Sequence, residues 1–234
     1  MKNRDQTKIN FDSDARSFDE RILKHVPGYL DMHETLLHFI PFQRNDAFSL
    51  LDLGIGTGNF ARKVLERFPN VKVTGVDFSE QMIAICRQRL ANYAPRLTLI
   101  NMGFDREIPP GQFNVVVLNL SLHHLENKEK AGLIKKIARQ VIKPGALLIG
   151  DLIKSRSPRI TDIYMRIWKD NMRQHGFSEE YIEKSYEKKK YETEDIPAPV
   201  EDHLEWLKRS GFEEVELFWK RYHFAAFGGF KGVK

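Results

Sequence analysis

A single cysteine, Cys86, stands among the 234 residues, so no intrachain disulfide can form, which fits a reducing compartment. Its place in the run Met82-Ile83-Ala84-Ile85-Cys86 is that of a buried helical residue rather than a reactive thiol. No apolar run approaches the ~18 to 20 residues that a membrane helix needs, which excludes an integral membrane protein. Met1 to Asp14 is polar and mixed in charge and lacks the apolar core of a secretory signal, so a cytoplasmic address is expected. Internal repeats and low-complexity tracts are also missing. What is present is ordinary for a globular chain: 41% hydrophobic and 29% charged residues, enough for one sizeable α/β domain with an appendage. The net charge of +5 leaves RNA open as a partner, but no binding module is appended, and the densest cluster, Lys188-Lys189-Lys190, reads as a solvated helix face.

The pattern along the chain divides into four stretches. Residues 1–48 hold a helical segment, Ser17 to Ile40, interrupted near Pro27-Gly28 and ended by Pro41. Residues 49–154 alternate apolar strands (Ser49 to Leu53, Val71 to Val76, Leu97 to Asn101, Phe113 to Asn119, Ala146 to Asp151) with helices (Asn59 to Phe68, Ser79 to Tyr93, Lys128 to Val141). Such alternation predicts βαβ units and a mainly parallel sheet, covered on both faces where strands such as Val115 to Leu118 are continuously apolar. Residues 155–199 read as a polar, aromatic-dotted helical lid followed by a loop, Tyr191 to Val200. Residues 200–234 hold a last helix and two runs, Glu214 to Arg221 and Phe224 to Phe230, so close together that they must form a hairpin.

The densest chemical signal is Leu50-Leu51-Asp52-Leu53-Gly54-Ile55-Gly56-Thr57-Gly58-Asn59-Phe60, where a strand hands over to a helix. Glycines there permit a tight turn and a close ligand approach, and the helix offers unpaired N–H groups. Nineteen residues after Gly58, Asp77 ends the second strand, where an acid can accept both hydroxyls of a ribose. A dinucleotide site would place its third glycine at position 59, which is Asn59, and a pyrophosphate favours a positive helix end. The G-x-G-x-G spacing led by Asp52 instead suits a sulfonium nucleoside with an amino-acid headgroup.

The stretches LLDLGIGTGNF, GVDFSEQM, FNVVVLNLSLHHLE and KPGALLIGD resemble the sequential motifs of class I S-adenosylmethionine (SAM)-dependent methyltransferases, over Leu50 to Asp151. The resemblance implies an α/β, Rossmann-like fold: a mainly parallel seven-stranded sheet with an antiparallel C-terminal hairpin, here carrying a helical lid. It also implies SAM as cofactor. FDERILKHVPGY, VVLNLSLHHLE, GFSEEYIEKSYEKKK and LKRSGFEEVELFW further resemble the carboxy-SAM synthase branch, which serves tRNA wobble-uridine modification, and related methyltransferases of the same layout. Loop and likeness together give an expected cofactor set of Tyr29, Asp52, Gly54, Ile55, Gly56, Gly58, Asp77, Phe78, Met82, Met102, Gly103, Phe104 and Asn119.

Two positions depart from the family. Gly103 stands where most members carry an acid for the adenine amino group, leaving Asp105 or the backbone of Met102 to Phe104 to serve. In the synthase branch a lid arginine grips the extra carboxylate of its product, and Lys188 aligns with it. Lysine cannot make the planar two-pronged contact of arginine, which favours SAM over carboxy-SAM as the ligand.

Candidate chemistry clusters after the fourth and fifth strands. His123 or His124 could serve as general base, since an imidazole titrates near neutrality, and Asp151 could hold a substrate amine or hydroxyl. Metal binding is not expected, because adjacent histidines should point apart and no third ligand sits at metal-site spacing. Arg166, Trp168, Tyr186 and Lys188 are candidates for shaping a substrate pocket from the lid, along with Tyr164 and Tyr181. The expected activity is methyl transfer to a small-molecule or nucleoside acceptor. Carboxy-SAM synthesis, RNA methylation and a non-catalytic SAM-binding module are the alternatives, and a homodimer is left open.

Overall fold

The computed structural model describes residues 18–105, 107–190 and 195–232, and gives no side-chain detail for Phe18 or for residues 188–190. Two N-terminal helices, α1 (Phe18–His25) and α2 (Tyr29–His38), meet at the expected break at Pro27-Gly28. The core then runs β1 (Ser49–Leu53), α3 (Asn59–Arg67), β2 (Lys72–Asp77), α4 (Glu80–Arg89), β3 (Leu97–Asn101), β4 (Phe113–Asn119), α5 (Asn127–Gln140) and β5 (Val141–Lys154). The lid helices α6 (Pro158–Gln174) and α7 (Glu179–Lys190) follow, then β6 (Ala198–Pro199), α8 (Val200–Arg209), β7 (Glu214–Arg221) and β8 (Phe224–Lys231).

The sheet order is β3-β2-β1-β4-β5-β8-β7, with the short β6 pairing β5 off this path. Strands β1 to β5 are parallel, and β8 runs antiparallel to both β5 and β7. This is the Rossmann-like seven-stranded arrangement, with its terminal hairpin, to which β6 adds an eighth strand. From β1 the chain first moves outward to β2 and β3, then returns to the other side of β1 as β4. That reversal opens a crevice at the carboxyl ends of β1 and β4, where ligands bind in open α/β sheets.

Strand side chains alternate between two cores. Leu50, Val115, Val117, Ala146 and Leu148 pack with residues of α2, α3 and α4 on one face. Leu51, Leu53, Val116, Leu118, Leu147 and Ile149 pack with α5 and α8 on the other. Cys86 is fully buried in the first core, and burial pushes its thiol up to about 12, so it is a packing residue. No helix among the described residues is long and apolar enough to cross a membrane.

Three boundaries differ from expectation. Helix α4 stops at Arg89 rather than Tyr93, because Ala91–Arg96 tightens into a 3-10 segment that contains Pro95. Lys143-Pro144-Gly145 does not stop the helix, which ends at Gln140; β5 begins at Val141, and the triplet lies inside it, in a register shift between Phe113↔Val141 and Val115↔Ala146. The strand also outruns Asp151, since β8 and β6 keep pairing it to Leu152 and Ile153. Within the expected loop Tyr191 to Val200, residues 191–194 lie outside the described residues, and Ala198–Pro199 forms β6. Two residues including a proline show no alternation for a sequence reading to detect.

The lid is anchored through α1. The Trp168 indole N–H donates to the His25 carbonyl (3.0 Å), and the Asn171 amide donates to that of Lys24 (2.8 Å). The His25 ring meets Phe177 and Tyr181 edge-on, and the Tyr181 hydroxyl lies 3.1 Å from His25 Nε2.

Candidate active site

The glycine loop crosses the crevice between β1 and β4. Its first two amides, of Gly54 and Ile55, both donate to the Val76 carbonyl (2.8 and 2.9 Å), which fastens the turn to β2. Gly54 has φ 88°, and a side chain there would place its Cβ 2.5 Å from Ser121 Cβ, so only glycine lets the loop pass beneath the end of β4. Gly56, at φ 55°, has nothing within 4 Å of its Cβ position, so its backbone faces open space where a ligand can approach.

Asp77 does two jobs. Its Oδ2 accepts from the Gly56 amide and its Oδ1 from the Ser79 amide, each at 2.9 Å. A carboxylate has about four lone-pair sites, so these bonds leave room for ribose hydroxyls. The expected cap of α4 is present, with Ser79 Oγ accepting from the Met82 amide at 3.1 Å. Met82 itself is buried beneath.

Gly103 lacks the family's acid, yet a Cβ built there would lie 2.8 Å from Asp105 Oδ1. The Asp105 carboxylate therefore occupies the space that a side chain at 103 would enter. Phe104 reaches back to the loop, its ring edge 3.6 Å from the Cβ position of Gly54.

Asp52 sits deeper than an exposed headgroup acid would. It is fully buried, and burial together with the nearby Asp77 charge pushes its carboxyl up to about 7. Its Oδ1 has no hydrogen-bond partner, and neither do Asn119 Oδ1 and His33 Nδ1. Orphaned buried polar atoms are uncommon in native folds, and two of these belong to the expected cofactor set. The residues present thus fit a cofactor with a cationic amino-acid end and a ribose.

The structure adds partners that the sequence did not reveal. The Asn119 amide donates to His33 Nε2 at 2.7 Å, and the His33 ring packs on Tyr29 with centroids 4.1 Å apart. Burial, with the Lys63 charge, lowers His33 to about 3 and keeps it neutral. Burial also raises the Tyr29 phenol well above its ordinary range. From α1, Asp19 accepts from Thr57 Oγ1 (2.6 Å) and Asn59 Nδ2 (2.7 Å) and pairs with Arg89. Burial alone would raise the Asp19 carboxyl, but these hydrogen bonds and the Arg89 charge hold it below its ordinary value.

On the α5 face, His123 lies in a 3-10 turn, Leu122–His124, just past β4. Its Nδ1 is 2.5 Å from Oδ1 of the fully buried Asp151, which also accepts from the Leu152 amide at 2.8 Å. The expectation that the two histidines point apart is corrected here. Their rings lie 4.1 Å apart, and His123 Nε2 and His124 Nδ1 each stand 3.6 Å from the same Asp195 oxygen. A third ligand is thus present, brought from about seventy positions along the chain, which is why linear spacing missed it.

The lid candidates separate. Trp168 is almost fully buried against α1, where its indole N–H anchors the helix. Arg166 lines a shallow concavity with Arg159, Asp162 and Ile163. Tyr186 packs against the core with the Lys169 ammonium 3.7 Å from its ring centroid. The Lys188 side chain lies outside the described residues.

Residues 50–145 match the family model of a methyltransferase domain. Two similar curated proteins are carboxy-S-adenosyl-L-methionine synthases. The one from Nautilia profundicola is 26% identical, covering 97% of this chain and 96% of its own length. The one from Colwellia psychrerythraea is 28% identical, covering 93% and 91%. Among solved structures, an O-methyltransferase family protein from Burkholderia thailandensis superposes with a TM-score of 0.68 at 17% identity, over 94% of this chain and 60% of that one. Human N-acetylserotonin methyltransferase in complex with SAM gives 0.57 at 18% identity, over 86% and 51%. The chain thus spans about half to three fifths of these two solved chains. Residues 50–145 thus carry a methyltransferase domain, in the Rossmann-like fold of these solved methyltransferases. The domain and the synthase relatives support a SAM-dependent enzyme.

Proposed function

We propose that the protein transfers a methyl group from SAM to a small-molecule or nucleoside acceptor that arrives with an ionisable proton, in the cytoplasm. When bound, SAM supplies an electrophilic methyl group on a cationic sulfur. Asp77, fixed by the Gly56 amide, holds its ribose end, Asp52 its ammonium, and Asp105 its adenine. The observation that carries the reading is the polar group that Asp151 of β5 and Asp195 form with His123 and His124 of the turn after β4. Methyl transfer itself needs mainly positioning and exclusion of water. A buried Asp–His pair is added machinery, suited to taking a proton from a hydroxyl or amine. The test is incubation with SAM and a panel of phenols, hydroxy acids, amines and nucleosides. S-adenosylhomocysteine should form with at least one hydroxyl or amine acceptor, and none with acceptors lacking a removable proton.

The near full-length similarity to carboxy-SAM synthases favours a second reading, in which the product is a carboxylated sulfonium. Mass spectrometry of the small molecule that co-purifies with the protein separates the two readings.

A further inference from the structure

We infer that His123, His124 and Asp195 form a binding site for a divalent first-row transition cation of the zinc type, with Asp151 as the outer carboxylate that orients His123. The three potential ligand atoms all lie within 4.8 Å of one another. Both imidazole nitrogens stand 3.6 Å from the Asp195 oxygen, too far for a hydrogen bond. With metal–ligand bonds of ~2.0 to 2.2 Å, two ligands of a tetrahedral ion are about 3.4 Å apart, so small side-chain shifts would close the site.

The surroundings are those of a built site. Asp151 accepts from His123 Nδ1–H at 2.5 Å, and His123 Nε2 faces Asp195 at 3.6 Å. Such carboxylate–histidine pairs fix the tautomer and raise the ligand's basicity at metal centres. Asp195 is pinned through its neighbours. The Ile196 amide donates to the His123 carbonyl (2.7 Å), the buried Lys130 ammonium donates to the Ile196 carbonyl (2.5 Å), and Ala198 pairs with Ile153. Two carboxylates, Asp151 and Asp195, offset the Lys130 charge. Two imidazoles and one carboxylate suit zinc and its transition-series neighbours, whereas magnesium and calcium prefer oxygen throughout. Three protein ligands leave a fourth position for water or an acceptor oxygen, whose proton the metal would make easier to remove, a role that replaces proton acceptance by His123 Nε2 while the ion is bound. That last role rests on the methyl-transfer reading above; occupancy of the site does not.

The test uses the untagged full chain, stripped with a chelator and titrated with Zn²⁺ by calorimetry and with Co²⁺ by visible absorption. Close to one ion per chain should bind, with cobalt bands showing nitrogen and oxygen ligands in low coordination. His124→Ala and Asp195→Asn should weaken binding at least about 100-fold, and Asp151→Asn about 10- to 100-fold. Thermal unfolding and SAM affinity, measured alongside, report whether each variant is folded. If a variant fails to fold, the cobalt spectrum of the wild-type chain decides. Binding far below one ion per chain, bands of an octahedral aquo-like ion, or unchanged affinity in folded variants would overturn the inference. Metal binding without S-adenosylhomocysteine formation sinks only the methyl-transfer reading. Full turnover by the stripped protein sinks only the metal's role in it.

Discussion

The two halves of the crevice are built in opposite ways. The cofactor half comes from short contiguous pieces: β1 with its glycine loop, the end of β2 at Asp77, and the turn after β3 at Gly103 to Asp105. The acceptor half comes from distant ones, with His123 meeting Asp151 from β5 and Asp195 from beyond the lid. Under the proposed function the first half binds SAM, for which a local backbone motif suffices. The second meets the acceptor and is assembled by tertiary contacts.

Four substitutions test that division. His123→Ala should lower kcat by roughly 10²- to 10⁴-fold while SAM affinity holds, because proton transfer is lost and the cofactor half is untouched. A matching loss of SAM affinity would mean that the halves are not separate. Asp77→Ala should weaken SAM binding by about 10- to 100-fold, the scale of hydrogen bonds to a charged group. Equilibrium binding checks it, and unchanged affinity would remove Asp77 from the ribose.

Asp52→Asn sharpens the comparison through pH. The folded-state value of about 7 lies above the ordinary carboxyl value, so burial of Asp52 is tolerated best when it is protonated. Its contribution to the stability of the ligand-free protein is present in full below pH ~4 and is lost as pH rises through about 7. The Asn variant should therefore gain stability over the wild type across that window, on the order of 4 kcal/mol above pH 7. Denaturant unfolding at several pH values reads this directly, and parallel curves for the two proteins would refute it. Trp168→Phe should cost about 1 to 2 kcal/mol through the lost bond to the His25 carbonyl and a small cavity. Unchanged acceptor selectivity in the same variant would keep Trp168 out of the pocket.

Legibility in the sequence followed the same division. The bounds of β1, β3, β4 and β7 were readable to the residue, β1 and β4 as buried apolar runs and the edge strands β3 and β7 from the turn signals that flank them. The loop, Asp77 and the Ser79 cap were readable for the same local reason. His33 was not, since a histidine on an amphipathic helix looks like any polar residue until Asn119 is seen against it. Asp19 and Asp195 were not either, because their partners Arg89 and His123 lie about seventy positions away. Asp105 was a weak candidate from its neighbourhood to Gly103, and the backbone turn between them is what brings its carboxylate into that position.

Helix α1 links more than its eight residues suggest. Its first turn is tied by Asp19 to Thr57, Asn59 and Arg89 around the glycine loop, and its last turn by Lys24 and His25 to α6. A strut pinned at both ends carries load in both directions. A substitution that loosens α1 should therefore disturb the glycine loop and the two helices after β5 together.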